Sequence, residues 1–358
     1  MDCALITGGL GFIGSHIARR LIAEKIVDLV VLLDHFGGYV SPASDDYHDY
    51  RRLRFSWLAG RAVIERAQAN YPNVMAKLLH KYRPGYIFHL AALPLAKLDN
   101  IGAQEAIEGN VSSTANILEI CANLKELDNY QPQRFVYASS SMIYGDFLYQ
   151  PADENHPANP KSIYGAAKLA GEVITRGLAQ AFGLKATIVR PSAVYGPTDM
   201  NRRVTQVFLE AALKGEKLIV RGKDEYLDFT YVEDLAKGFV LAATRPEAAG
   251  QTFNITAGQA YSLLEYVRIL KRHFPNLKYQ VVEREQDRPR RGTLSIEKAK
   301  KLLGYQPDHD LASGVAKYVH FARQMQGWPK ASPKPKSGLD YPLDFGPDVP
   351  LGKAASHA

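Results

Sequence analysis

Tyr164 and Lys168 stand four residues apart, and they are the pair in this sequence best suited to acid–base chemistry. On a helix, residues at that spacing share one face. A free tyrosine has a pKa of about 10, and lowering it by about three units requires roughly 4 kcal/mol of preferential stabilisation of the phenolate. A positive charge about 4 Å away supplies about that much at an effective dielectric near 20. The pair therefore predicts a phenolate base, with a hydroxyl of the run Ser139-Ser140-Ser141 sharing the substrate's proton.

A second chemical signal is the glycine-rich turn that follows the first apolar run, Thr7-Gly8-Gly9-Leu10-Gly11-Phe12-Ile13-Gly14. Its glycines allow a tight turn, close approach of backbone to a pyrophosphate, and tight packing of helix on strand. Asp34 follows about 20 residues later, where a carboxylate can bind a ribose 2′-hydroxyl and would repel a 2′-phosphate. The turn predicts bound NAD rather than NADP, and an oxidised nicotinamide would be a second positive charge near Tyr164.

Parallel strands must bring these residues together. Short apolar runs alternate with helix-like stretches as far as Pro191, which predicts an α/β fold with a Rossmann-type doubly wound parallel sheet. Beyond Pro191 the elements become shorter, and we expect a smaller mixed α/β C-terminal lobe that binds the substrate. The predicted divisions are a Rossmann domain at 1–190 plus about 228–250, a substrate lobe at about 191–227 and 251–327, and a Pro/Lys/Gly-rich tail at 328–358.

Composition excludes several classes of protein. The chain has 358 residues, 46% hydrophobic and 23% charged, which is typical of a globular protein rather than a disordered or fibrous one. Cys3 and Cys121 give neither a disulfide framework nor metal-ligand spacing, so no metal is expected. Apolar runs are too short to span a membrane, and we expect a cytoplasmic protein with no membrane partner. The net charge of +7 indicates either a basic surface or an anion site. The sequence has no stripe of basic residues interleaved with aromatic ones, so we expect no nucleic-acid partner.

Seven motifs follow one another along the chain in the order TGGLGFIGSH, FHLAA, GNVSSTANILE, ASSSMIYGD, YGAAKLAGE, VRPSAVYGP and FTYVEDLAKG. With them, residues from about 3 to about 325 resemble the extended short-chain dehydrogenase/reductase family, and within it the NAD-dependent nucleotide-sugar epimerases and dehydratases. The resemblance implies a nucleotide-sugar substrate, a homodimer formed through the helices near 103–124 and 163–182, and a catalytic role for Ser140 beside Tyr164 and Lys168. It implies cofactor contacts from Gly8, Gly11, Phe12, Ile13, Gly14, Asp34, Leu90, Ala91, Ala92, Asn110, Tyr164, Lys168, Pro191 and Ser192.

The residues after Ser140 separate branches of this family. The 4,6-dehydratases resemble one another in carrying Asp-Glu there, and UDP-glucuronate decarboxylases typically have Glu at the position of Met142, whereas this chain has Ser141 and Met142. The resemblance therefore favours an epimerase, in which Tyr164 takes the proton of a sugar hydroxyl, usually at C4, while hydride passes to NAD and returns to the other face. The alternatives are an NAD(P)H-dependent nucleotide-sugar 4-keto reductase and an inactive NAD-binding regulatory protein.

Two phosphate contacts usual in the family are missing, because Ala193 replaces an Asn and Leu227 replaces an Arg. Arginines elsewhere can compensate, since a guanidinium binds phosphate bidentately; the alternative is that they are solvated surface residues. We expect Leu93 to Lys97 and Tyr195 to face the sugar, and His89 to lie in the core or beside the cofactor rather than act as a base. The predicted substrate contacts are Ser140, Met142, Arg202, Arg203, Arg288 and Arg290, with Arg291 as a further candidate.

Overall fold

The computed structural model describes residues 2–36, 50–58, 60–92, 102–286 and 288–325. The predicted tail at 328–358, the segment Leu93 to Lys97, and most of the stretch between the second strand and Arg54 lie outside these residues.

Eleven strands occur in the described residues. They are β1 (Cys3–Thr7), β2 (Leu29–Asp34), β3 (Ala62–Arg66), β4 (Tyr86–His89), β5 (Arg134–Ala138), β6 (Ala186–Pro191), β7 (Leu218–Arg221), β8 (Tyr226–Leu227), β9 (Thr252–Ile255), β10 (Tyr261–Ser262) and β11 (Tyr279–Val282). Seven of them form one sheet in the order β3-β2-β1-β4-β5-β6-β9, and every neighbouring pair is parallel. The strand order reverses direction at β1, as in a Rossmann fold, so the predicted fold class is confirmed.

Helices connect these strands and cover the sheet. They are α1 (Phe12–Ala23), α2 (Arg51–Ser56), α3 (Pro72–Tyr82), α4 (Ala103–Ala106), α5 (Ser113–Asp128), α6 (Ile163–Phe182), α7 (Val204–Lys214), α8 (Val232–Thr244), α9 (Leu263–His273), α10 (Glu297–Leu303) and α11 (Leu311–Gln324). A π-helical turn, Ile107–Ser112, joins α4 to α5, and a 3₁₀ turn, Ser141–Tyr144, follows β5. Within the described part of the chain, no helix combines the length and the apolar character that crossing a membrane requires.

Both faces of the sheet are buried. On one face, side chains of α1 and α8, such as Ile17 and Phe239, pack with Ile6 and Phe253 of the sheet. On the other face, α3, α5 and α6 cover the remaining strand residues. A parallel sheet with helices on both faces needs strands that are apolar throughout, and β1 and β5 are indeed buried along their whole length.

A third cluster of buried side chains lies outside the main sheet, on α7, α9 and α11 and on β7, which pairs in parallel with β11. The predicted lobe boundaries need two changes. β9 belongs to the main sheet rather than to the lobe, because it pairs with β6. Ile296, Ala299 and Leu303, around α10, pack in the core of the main domain, because this helix lies against the α8 face of the sheet.

Candidate active site

The predicted active-site residues lie at the carboxyl ends of parallel strands. The glycine turn follows β1, Asp34 ends β2, Leu90 follows β4, Ser140 follows β5 and Pro191 ends β6. Neighbouring parallel strands end at the same edge of a sheet, which is where α/β proteins of this type bind ligands. The strand register therefore gathers residues that are up to about 180 positions apart in the sequence.

Helix α6 presents Tyr164 and Lys168 to this edge. The helix begins after Ser162, whose hydroxyl accepts the Gly165 N–H at 3.1 Å, so Tyr164 lies in the first turn. The Lys168 Nζ lies 6.0 Å from the centre of the Tyr164 ring and donates to the Ala138 carbonyl at 2.7 Å. Ala138 is the last residue of β5, so the lysine is fixed where that strand ends.

Ser140 completes the group that the sequence predicted. Its hydroxyl accepts the Met142 N–H at 3.2 Å and caps the 3₁₀ turn Ser141–Tyr144. The same hydroxyl lies near Tyr164 and lowers the pKa of its phenol. The structure thus places Ser140, Tyr164 and Lys168 together, and Met142 lies buried beside them.

Charge in this group differs in one respect from the sequence argument. Burial raises the pKa of Tyr164 above its usual value, although the Ser140 hydroxyl and the positive charge of Arg203 oppose that rise. Burial also lowers the pKa of Lys168 to about 7, against the opposing charge of Glu172. The positive charges of the chain alone therefore do not make Tyr164 acidic, because burial outweighs them.

A buried network that the sequence argument missed lies behind Lys168. Glu172, one turn further along α6, accepts two hydrogen bonds from Arg190 at 2.7 and 2.8 Å and one from Ser139 at 2.6 Å. Although burial raises the pKa of Glu172, these partners hold it below its usual value. The network ties α6 to β6 and to Ser139, the residue that follows β5, and so fixes Tyr164 relative to Ser140. Its sequence signal is the position of Glu172 on the same helical face as Tyr164 and Lys168.

The glycine turn has the shape of a diphosphate cradle. Gly8 has a φ of +69°, which favours glycine, and an added Cβ would lie 3.2 Å from the Ala91 nitrogen. A Cβ at Gly14 would lie 2.5 Å from the Gly8 carbonyl oxygen. Gly11 precedes α1 and has no side chain to cap it, so N–H groups at this helix start remain available for an anion. Phe12 and Ile13 form the first turn of this helix.

Asp34 supports this turn from the next strand. One carboxylate oxygen accepts the Leu10 N–H at 3.1 Å and the other accepts the Phe36 N–H at 2.9 Å. A carboxylate has about four acceptor positions, so two remain for ribose hydroxyls. The cradle and the acid together fit NAD.

His89 links two further predicted cofactor segments without serving as a base. Thr7 Oγ1 accepts the N–H groups of Leu90 and Ala91 at 3.2 and 3.0 Å, so its own proton is directed to His89 Nδ1 at 2.8 Å. His89 Nε2 then donates to Ser113 at 3.2 Å. Burial and the charge of Lys168 lower the pKa of His89 to about 3, so the ring is neutral.

Three other predicted cofactor contacts lie near the same edge. Ala92 follows the Leu90–Ala91 segment, and Ser192 is buried directly after β6. Asn110 is buried in the π-helical turn, and its Oδ1 has no hydrogen-bond partner among the described residues. A buried amide oxygen without a partner is costly unless a ligand or water completes it. π-helical turns are frequent at functional sites.

The predicted substrate arginines fall in different places. Arg203 lies beside the first turn of α1: its guanidinium carbon is 5.6 Å from the Phe12 ring, and its Nη1 is 3.5 Å from the buried Asp199 carboxylate. That Nη1 has no hydrogen-bond partner among the described residues. The neighbouring Arg202 is exposed. The two consecutive arginines therefore do not act as a pair.

The second arginine group borders the C-terminal lobe. Arg290 and Arg291 line a cavity of about 590 Å³ together with Lys223, Tyr226 and Val281. The Arg291 Nε is buried without a hydrogen-bond partner in the described structure. Arg288 has a side chain that is 60% exposed and forms an ion pair with Glu285. Arg288 and Arg290 are both exposed, as solvated surface residues are, whereas Arg291 is partly buried. The cavity that Arg290 and Arg291 line is also lined by the acidic residues Asp224, Glu225 and Glu283.

Comparison with known proteins adds independent information. The profile of the NAD dependent epimerase/dehydratase family matches residues 4–256. UDP-glucuronate 4-epimerase 1 of Arabidopsis thaliana is 30% identical over 347 residues, covering 90% of this chain and 77% of the relative. The crystal structure of a UDP-glucuronic acid 4-epimerase from Bacillus cereus, in complex with UDP-glucuronic acid and NAD, superposes with a TM-score of 0.80 at 26% identity, covering 90% of this chain and 99% of that one. A UDP-glucose 4-epimerase from Thermotoga maritima, bound to UDP-glucose, superposes with a TM-score of 0.75 at 25% identity, covering 90% and 99%.

Proposed function

Because the chain belongs to the NAD dependent epimerase/dehydratase family, we infer that it is an NAD-dependent nucleotide-sugar epimerase, and we propose that it inverts C4 of a nucleotide-linked uronic acid. The observation that carries the epimerase assignment is the meeting of Ser140, Tyr164 and Lys168 at the same edge of the sheet as a glycine turn that fits NAD. Ser141 and Met142 are buried next to Ser140 and offer no carboxyl group, which favours epimerisation over elimination of water.

When bound, NAD supplies the group that takes up two electrons and a proton from the sugar carbon and gives them back. The chain's residues manage the other proton. Tyr164, as a phenolate, accepts the proton of the C4 hydroxyl and returns it at the end of the reaction. Ser140 donates a hydrogen bond to the reacting oxygen. Lys168 uses one N–H on Ala138, and we propose that its other two donors hold the ribose of the nicotinamide half.

The timing of this base follows from its environment. Burial keeps Tyr164 protonated in the free protein, and Arg203 and Ser140 only reduce that effect. An oxidised nicotinamide bound at this edge would bring a positive charge, and a positive charge near a phenol favours the phenolate. We therefore propose that Tyr164 becomes a competent base only when oxidised NAD is present.

The proposal of a uronic acid rests on Arg203. It is the cation whose charge acts on Tyr164, and one of its nitrogens is buried without a hydrogen bond in the described structure. A sugar carboxylate at C6 is two bonds from C4, so it would lie near the group that removes the C4 proton. Relatives that act on UDP-glucuronate support the same assignment. Arg290 and Arg291, at the cavity in the C-terminal lobe, are the proposed contacts of the nucleotide diphosphate.

Product analysis tests this function. Purified holoenzyme is incubated with UDP-glucuronic acid or with UDP-glucose, and the C4 epimers are separated by chromatography. We expect the uronate to be converted without lasting formation of NADH, and the neutral sugar to be converted much less efficiently. Arg203→Met should raise KM for the uronate by about tenfold to a hundredfold, since a hydrogen bond to a charged group is worth about 1.5–3 kcal/mol. Steady consumption of NADH with a 4-keto sugar, and no epimerisation, would instead establish a reductase.

We also propose a homodimer formed through α5 and α6. The outer face of α6 exposes Ile163 and Val173, and the π-helical turn before α5 exposes Ile107, although such side chains usually lie inside a protein. Val173→Glu should convert a dimer to a monomer in light-scattering measurements, and a wild-type monomer would refute this assembly. A cytoplasmic location is proposed from Cys3 and Cys121, which are both free and buried, as is usual in a reducing compartment.

A further inference from the structure

Arg54 is a buried charge that the reaction described above does not use. It is the buried residue of the short helix α2, and it is only 1% exposed. Arginine is almost never fully buried unless its charge and its donors are matched. Its sequence region, between the second strand and the third, had no predicted role.

The guanidinium of Arg54 joins two separate parts of the active site. Nη1 donates to the Leu10 carbonyl at 2.6 Å, and Leu10 lies inside the glycine turn. Nη2 donates to the Thr198 carbonyl, and Nε donates to the Thr198 hydroxyl at 3.3 Å. A planar fork of donors suits such a bridge, because it fixes both acceptors in one plane.

Thr198 has a backbone conformation that needs an external restraint. Its φ is +69°, in the left-handed region that a β-branched residue rarely adopts. Such a residue persists only where its surroundings hold it. Arg54 holds its carbonyl and hydroxyl, and from the other side His16 approaches the preceding carbonyl, Pro197 O, at 3.1 Å.

The restrained segment leads directly to the active-site arginine. Asp199 follows Thr198, is 2% exposed, and lies 3.5 Å from the Nη1 of Arg203. Arg203 precedes α7 and lies over the Phe12 ring at the start of α1. The path from the glycine turn through Arg54 to Thr198 and Asp199 therefore ends on the cation that acts on Tyr164.

We propose that Arg54 is a positioning residue for substrate recognition, because it fastens the Thr198–Arg203 segment to the cofactor turn and thereby places Arg203 against the anionic group of the substrate. This inference rests on the proposed function. According to this inference, the glycine turn and Arg203 form one rigid unit. A change at Arg54 therefore alters substrate binding because it moves Arg203.

A double-mutant cycle tests this coupling. The variants are Arg54→Met, Arg203→Met and the double variant, each assayed as holoenzyme with UDP-glucuronic acid. We expect Arg54→Met to raise KM about tenfold, as the loss of a hydrogen bond by a charged group would. The kcat should also fall, because Arg203 favours the phenolate of Tyr164. In the Arg203→Met background the same change should alter KM by less than about twofold, because both changes act through one contact. The matched control is Arg61→Met, an exposed arginine whose loss should leave KM unchanged.

Several outcomes would overturn the inference. Independent effects of the two substitutions on KM would show that Arg54 does not act through Arg203. A normal KM in Arg203→Met would remove the residue on which Arg54 is said to act, while the epimerase itself would stand. If Arg54→Met does not fold, Arg54→Lys replaces it, because lysine keeps the charge but cannot bridge Leu10 and Thr198. We then expect a KM between those of the wild type and Arg203→Met. A wild-type KM in Arg54→Lys would contradict the inference. Wild-type enzyme that does not epimerise any nucleotide sugar would refute the proposed function instead.

Discussion

Replacing Gly14 by alanine should weaken NAD binding strongly. The new Cβ would lie 2.5 Å from the Gly8 carbonyl oxygen and 3.1 Å from the Gly9 Cα. Ordinary van der Waals contact begins near 3.4 Å, so the Gly8 oxygen is about 0.9 Å too close. Both neighbours are backbone atoms and cannot rotate away, so the turn must open at the point where it receives the diphosphate. Losing one hydrogen bond to a charged phosphate costs about 1.5–3 kcal/mol, which corresponds to a loss of affinity of about tenfold to a hundredfold.

The assay measures NAD per protein chain after purification, and the affinity of NAD by calorimetry. Gly177→Ala is the matched control: a Cβ at Gly177, on α6, meets no atom within 4 Å. The alanine there should leave NAD occupancy unchanged and favour the helix by up to about 1 kcal/mol. Because the assay counts NAD per protein chain, a change in the oligomeric state of Gly177→Ala would not by itself change the result. A Gly14→Ala protein that retains NAD with wild-type affinity would refute the assignment of this turn as the diphosphate site.

Three further predictions concern the catalytic group and its surroundings. Ser140→Ala should lower kcat by about tenfold to a hundredfold with little change in KM, measured by epimer formation, because one hydrogen bond to the reacting oxygen is lost. Burial lowers the pKa of Lys168 to about 7, so between pH 7 and the ordinary lysine pKa of about 10.4 the unfolded chain binds more protons than the folded one, and the stability of the cofactor-free protein rises with pH. In urea titrations, Lys168→Met should remove that rise and stabilise the protein at neutral pH. An unchanged pH dependence of stability in this variant would contradict the lowered pKa. Burial raises the pKa of Glu233, but the hydrogen bond and charge of His16 outweigh burial and lower that pKa to about 2. The Glu233 carboxylate therefore stabilises the fold above about pH 4.3, and this stabilisation is lost as the pH falls toward 2. Glu233→Gln should flatten this part of the acid denaturation curve.

Local sequence patterns predicted the parts of the site that are local. The glycine turn, Asp34 at the end of β2, and the pair Tyr164 and Lys168 each depend on neighbours within one turn or one βαβ unit. Alternating apolar runs and helical stretches predicted the doubly wound sheet for the same reason. β9 was not foreseen as a member of this sheet, because the pairing of Thr252–Ile255 with β6 is a long-range contact with no local signature.

Long-range polar contacts could not be predicted from sequence. Glu172 and Arg190 lie on different elements, and nothing in the intervening residues shows that their charges meet. The role of Arg54 could not be predicted for a second reason, because a basic residue near three other arginines is typical of a solvated surface. Only the fold shows that the Arg54 donors are buried against Leu10 and Thr198. Arg202 and Arg203 are adjacent in sequence, yet the chain turns one toward solvent and the other toward Tyr164.

The most direct test of the central claim compares wild-type holoenzyme with Tyr164→Phe in the conversion of UDP-glucuronic acid to its C4 epimer, with bound NAD measured in both. A phenyl ring keeps the packing of α6 but cannot accept the proton of the sugar hydroxyl. We predict that wild-type enzyme forms the epimer with no net reduction of NAD, and that the variant retains NAD but loses at least about a thousandfold in kcat, within the range that a positioned general base contributes. Epimerisation by Tyr164→Phe at the wild-type rate would contradict the account.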